Sequence, residues 1–142
     1  MQKTVLPNQM LPCGKKMRTL LLLLLGGIAA CSQEPTTTSS ETIYERLDND
    51  TFAEKLAATD GPQLLDVRTA AEFEQGALTD AQRITLQDAD FAERVQQTFQ
   101  KDEPIFVYCQ AGGRSKRACG NLRELGFTEI YELKDGYGNW NR

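Results

Sequence analysis

The sequence contains no histidine. That absence removes imidazole acid–base catalysis, Ser-His triads and most zinc sites, each of which is built on that ring. It also lacks a hydrophobic run long enough to cross a bilayer. The apolar stretch from Leu20 to Ala30 would rise about 16 Å as a helix, against about 30 Å of hydrocarbon. Acidic residues are missing from two places. The first thirty residues carry Lys3, Lys15, Lys16 and Arg18 and no acid, and the stretch between Pro104 and Arg123 has none either.

The basic start, the run of leucines from Leu20 to Leu25 and the small residues behind it predict a secretory signal over residues 1–30. Its end, Ile28-Ala29-Ala30-Cys31, resembles the bacterial lipobox, where the chain is cut before a cysteine carrying a diacylglycerol. The resemblance implies that Cys31 is the lipidated first residue of a periplasmic protein tethered to the membrane. Ser32, standing where an aspartate would retain such a protein at the inner membrane, implies the outer membrane. Residues 31–41 are then the lipidated cysteine and a polar tether, and residues 42–142 form one folded domain. Without residues 1–30 there remain 12 basic residues (16 less those four) against 20 acidic, a net charge of −8. Such a surface excludes nucleic acid as a partner, because phosphate binding needs a basic face.

Within the domain, short apolar runs alternate with helical patterns. Strands are predicted at Ile43-Tyr44, Gln63 to Val67, Gln82 to Ile84, Ile105 to Tyr108 and Ile130 to Glu132. Helices are predicted at a Thr51–Glu54 capping box with Phe52 and Leu56 on one face, and at Thr69 to Glu74. Two more are predicted at Phe91 to Phe99 and at Ser115 to Leu125, the last closed by Gly126. Strands alternating with helices make an α/β fold: a small, mostly parallel sheet flanked by helices on both faces. Ile105-Phe-Val-Tyr108, apolar throughout, is its central strand. The crevice of such sheets lies beyond the carboxyl ends of the strands, where Cys109 falls.

Cys109-Gln110-Ala111-Gly112-Gly113-Arg114-Ser115 must turn from that strand into a helix. The two glycines relax the turn and let backbone N–H groups converge, and the helix start adds partial positive charge. Arg114, Lys116, Arg117 and Arg123 supply full charges in a stretch without acids. All of this favours thiolate over thiol and lowers the Cys109 pKa from its free value of about 8.5.

The segment resembles the active-site loop of the rhodanese family, Cys-x-x-Gly-x-Arg-Ser. Leu65-Asp66-Val67-Arg68 with Glu72-Phe73 and Gly76 resembles that family's Asp-Val-Arg…Glu-Phe…Gly segment. Leu133-Lys-Asp-Gly136-Tyr-Gly-Asn-Trp140 resembles its Leu-x-Gly-Gly-x-x-x-Trp. Two departures, Gly76-Ala77-Leu78 for Gly-His-Ile and Asp135 for a second glycine, fall outside the loop. Four residues separate Cys109 from Arg114, where the related cysteine phosphatases have five, so the cradle suits a sulfur atom rather than a phosphate.

The resemblance implies a rhodanese-like three-layer fold and a sulfurtransferase that needs no cofactor and no metal. Cys109 takes a sulfane sulfur from a small anionic donor such as thiosulfate and passes it to a thiol or cyanide. The N–H groups of Gln110 to Ser115 hold the persulfide and Arg114 orients the donor. A periplasmic protein is a further possible partner. Two other readings keep the thiolate: a thiol or persulfide redox relay using Cys119 or the cysteine of a partner protein, and a non-enzymatic sulfur-carrier or protein-binding module on the membrane. Asp66 and Arg68 are candidates for substrate binding or for a structural role, with Arg68 pairing to Glu72. Cys119 reads as a core residue, Tyr137 and Trp140 as packing for the C-terminal segment, and Asp135 and Glu132 as residues of the pocket rim.

Overall fold

The computed structural model describes residues 41–140. The predicted signal, Cys31 and all of the tether but Glu41 lie outside them. Five strands build one sheet: β1 (Ile43–Leu47), β2 (Gln63–Asp66), β3 (Gln82–Arg83), β4 (Ile105–Tyr108) and β5 (Glu129–Leu133). They lie in the order β1-β5-β4-β2-β3, and every pair is parallel. Parallel neighbours need crossover connections, supplied here by helices α1 (Asn49–Ala58), α2 (Ala70–Glu74), α3 (Phe91–Thr98) and α4 (Gly113–Glu124).

The alternation of β4 sets the two faces. Ile105, Val107 and Cys109 pack with Phe91, Val95, Ala118, Cys119 and Leu122, which belong to α3 and α4. Phe106 and Tyr108 pack on the other face with Phe52 of α1, Leu78, Tyr131 and Leu133. Phe52 and Leu56, expected on one helix face, both lie against this second cluster. All four β4 residues are buried, as a central strand requires. From β2 the chain proceeds outward to β3, and from β4 it proceeds the opposite way to β5. The gap between β2 and β4 is therefore a switch point, and the loops after both strands open on it.

Two local expectations are corrected. The α1 cap is Asp48, whose carboxylate accepts the Thr51 N–H at 2.9 Å, so the helix begins before Thr51 and no capping box forms there. The capping box is at α2, between Thr69 and Glu72. Helix α4 starts at Gly113 rather than Ser115, because Gly112 takes the left-handed conformation (φ 80°) and completes the turn two residues early. At its other end Gly126 (φ 89°) closes the helix. The Gly126 and Phe127 N–H groups donate to the carbonyls of Arg123 and Leu122, satisfying groups the helix leaves open.

Candidate active site

Cys109 is the first residue past β4 and is only 1% exposed. Its sulfur sits inside the turn that leads into α4. Burial works against ionisation of this thiol, but hydrogen bonding to sulfur outweighs it. The N–H groups of Ser115, Ala111 and Arg114 point at the sulfur with the Ser115 hydroxyl oxygen 3.5 Å away, and this polar ring holds the thiol below its ordinary value. The cradle expected from the glycines and the helix start is present. Its strength comes from these short-range donors, since Lys116, Arg117 and Arg123 are exposed to solvent that screens their charge.

The turn is held from behind by the C-terminal segment. The Tyr137 N–H donates to the Cys109 carbonyl at 2.8 Å and the Gly138 N–H to the Gln110 carbonyl at 2.9 Å. A side chain on Gly112 would put its first carbon 2.0 Å from the Lys134 carbonyl oxygen, so that approach is possible only for glycine. Tyr137 and Trp140 pack as expected, Trp140 edge-on to Phe52 and Tyr137 beside Tyr108, with ring centres 6.0 Å apart in both pairs. Asp135 is exposed.

Asp66 and Arg68 are buried and bound to each other. The Arg68 Nη2 lies 2.7 Å from Asp66 Oδ2, and its Nε lies within 3.1 Å of both carboxylate oxygens. The guanidinium also donates to the Gly76 carbonyl at 2.7 Å and to Gln110 Oε1 at 3.3 Å, and it stacks 4.2 Å from the Tyr137 ring centre. The pair is a strut from the end of β2 to the Cys109 turn, with little of either side chain left for a substrate.

The expected Arg68–Glu72 ion pair does not form, because Asp66 takes Arg68 into the interior. Glu72 instead binds Arg114 through two parallel bonds of 2.7 and 2.6 Å. The Arg114 charge expected to face a donor is thus shared with a carboxylate. Arg114 first, and then the Thr69 N–H and hydroxyl against a smaller cost of burial, hold the Glu72 carboxyl down to about 2. A carboxyl depressed in the fold stabilises it fully above the ordinary value of 4.5. That stability drains as pH falls toward about 2, where the folded protein also takes the proton. Glu72→Gln is therefore expected to unfold at a temperature that declines less steeply between about pH 6 and about pH 3 than wild type does. Equal slopes would contradict the pairing.

Glu132, expected at the rim, is fully buried beneath the turn. The α4 face of β5 carries it under Ser115, whose hydroxyl donates to it at 2.9 Å; Arg46 Nε (2.8 Å) and the Tyr44 hydroxyl complete its shell. The acid-free stretch around Cys109 is thus acid-free in sequence only, since Glu72 and Glu132 arrive from other elements. A glutamate between Tyr131 and Leu133 in a predicted strand is a signal for such a buried charge; Tyr44 and Arg46 carry none. Cys119 is fully buried in the core, and burial, then Glu132, push its thiol up, so it resists ionisation. Among the described residues no group of His, Cys, Asp or Glu is placed to hold a metal ion.

Residues 48–142 match the Rhodanese-like domain family. The chain is 41% identical over 78 residues to the Bacillus subtilis protein YqhL, covering 55% of this chain and 60% of that one. It is 30% identical over 96 residues to a sulfurtransferase of Allochromatium vinosum, covering 68% and 87%. Among solved structures, a rhodanese-like domain protein from Staphylococcus aureus superposes with a TM-score of 0.58 at 25% identity, over 71% of this chain and 91% of the other.

Proposed function

The chain belongs to the rhodanese-like domain family, and from that premise we propose that it is a sulfurtransferase working through a persulfide on Cys109. The observation that carries this reading is the single recessed thiol ringed by backbone N–H groups, with the four-residue gap to Arg114 that keeps the cradle sulfur-sized. In the first half-reaction the Cys109 thiolate attacks the outer sulfur of a donor such as thiosulfate. A new S–S bond forms, the donor's own S–S bond breaks, and sulfite leaves with the bonding electrons. In the second, cyanide or a thiolate attacks the outer sulfur of the persulfide and Cys109 departs as thiolate, which its hydrogen-bond donors stabilise. Because Glu72 shares the Arg114 charge, the N–H groups carry much of the work of receiving an anionic donor.

Two half-reactions on one cysteine give ping-pong kinetics. Thiosulfate and cyanide varied against each other are expected to give parallel double-reciprocal lines, and Cys119→Ser is expected to keep turnover. Intersecting lines would sink the covalent cycle. Loss of turnover with Cys119→Ser would favour the dithiol relay, which the burial of Cys119 argues against.

We propose further that Cys31 is lipidated and that the domain stands in the periplasm, with the outer membrane as its anchor. The basic start, the leucine run and Ile28-Ala29-Ala30-Cys31 support this. Cys31→Ala is expected to move the protein from the membrane fraction to the soluble one; unchanged partition would contradict the anchor.

A further inference from the structure

Glu132 and Asp66 are the two acidic side chains among the described residues that are fully withdrawn from solvent. Asp66 is committed to Arg68. Glu132 is bound on both oxygens: Oε2 takes the Tyr44 hydroxyl and Arg46 Nε, and Oε1 takes Arg46 Nη2 at 3.3 Å and the Ser115 hydroxyl at 2.9 Å. The carboxylate therefore ties the last residue of the Cys109 turn to the sheet.

The Ser115 hydroxyl has one proton to give. Its oxygen stands 2.9 Å from Glu132 Oε1, 3.1 Å from the Gly112 carbonyl and 3.5 Å from Cys109 Sγ. The Gly112 carbonyl also receives the Lys116 N–H, and a carboxylate is the stronger acceptor of the two. With Cys109 as a thiol the set is consistent, since S–H donates to Oγ and O–H donates to Glu132. With Cys109 as a thiolate, two anions compete for one proton.

We propose that Glu132 is a positioning residue that turns the Ser115 hydroxyl toward itself and so withholds that hydrogen bond from ionised Cys109. The inference rests on Cys109 being the reactive thiol, whatever donor it serves. Arg46 and Tyr44 from β1 face the same pocket, as do Cys119 and Arg114 from α4, with Glu72 of α2 behind Arg114. Arg46 balances the Glu132 charge, while burial and Glu132 keep the Tyr44 hydroxyl and the Cys119 thiol neutral. The influence of Glu132 on the sulfur accordingly runs through the serine proton rather than through its field. The turn's N–H groups lower the thiol pKa, and Glu132 limits how far Ser115 adds to that.

Glu132→Gln tests this. Arg46 Nε can only donate and so holds the amide carbonyl, which leaves the amide N–H facing Ser115, whose hydroxyl is then free to donate to sulfur. The readout is the pH dependence of iodoacetamide labelling in the full chain, followed on the tryptic peptide 102–114, which contains Cys109 and no other cysteine. Glu132→Gln is expected to lower the labelling midpoint by about one unit, or roughly tenfold faster labelling on the acid side. Ser115→Ala is expected to move it by less than about half a unit, and the Glu132→Gln shift is expected to vanish in the Ser115→Ala background. A Glu132→Gln shift that persists without the serine would make Glu132 a through-space charge and overturn the inference, as would no shift at all.

If circular dichroism shows Glu132→Gln unfolded, Ser115→Ala compared with Ser115→Thr decides. A rise of about one unit or more in the alanine variant alone would mean that the hydroxyl already serves the sulfur, against the inference; a small rise in both supports it. Wild-type Cys109 that takes no label would overturn this inference and the nucleophile together. Normal labelling shifts without sulfur transfer would leave the inference standing and remove only the proposed activity.

Discussion

Cys109→Ser is expected to lower sulfur transfer by at least about a thousandfold, to the background of the assay. The reaction needs an atom that is ionised near neutral pH and can hold a second sulfur, and a hydroxyl meets neither demand. The fold is expected to survive the change. Cys109 borders the apolar cluster of α3 and α4, but its sulfur lies among the N–H groups of the turn, and a serine hydroxyl can meet those donors and Ser115. Turnover and the thermal unfolding midpoint, measured on one preparation, separate the two effects. A folded serine variant that still turned over at a tenth of wild type or more would move the chemistry to another residue.

Gly136→Ala is expected to cost about 3 kcal/mol of stability and most of the activity, although residue 136 lies outside the Cys109 turn. Its backbone (φ 72°, ψ 175°) lies in a region open essentially to glycine alone. An added carbon would stand 2.5 Å from the Ala111 nitrogen and 2.6 Å from the Gln110 carbonyl carbon and oxygen, all backbone atoms of the turn. Either the C-terminal segment lifts away or the turn shifts, and both break the bonds from Tyr137 and Gly138 that hold Cys109 and Gln110. For a domain of this size the loss corresponds to roughly 15 °C in the unfolding midpoint. Gly120→Ala is the control: it lies inside α4 with nothing within 4 Å of the added carbon, and should stabilise by up to about 1 kcal/mol. Equal midpoints for the two variants would refute the account of how the turn is supported.

The parts of the site readable from sequence were those written in consecutive residues. The apolar run Ile105 to Tyr108, the cysteine at its end and the two glycines before a helix specify a strand, a turn and a cradle by local chemistry, and the structure has all three. What could not be read is what the fold brings in from a distance. Glu72 lies 42 residues before Arg114, yet binds it with two bonds. Glu132, 17 residues past Ser115, lies beneath it because β5 pairs with β4 and aims its even-numbered residues at α4. Both contradict the image of a purely basic surrounding for Cys109, and both follow from strand order, which local patterns do not encode. The misplaced start of α1 has a smaller cause: Asp48 and Thr51 are both cap formers, and the aspartate three residues earlier captured the Thr51 N–H.

The central claim is that Cys109 carries the transferred sulfur. Mass spectrometry of the tryptic peptide 102–114, after the protein has met thiosulfate and excess donor has been removed, tests it most directly. The expected result is a gain of one sulfur atom on Cys109, erased by cyanide with thiocyanate released in equal amount. A peptide that stays unmodified after thiosulfate and after a low-molecular-weight persulfide, in protein whose Cys109 still reacts with iodoacetamide, would contradict it.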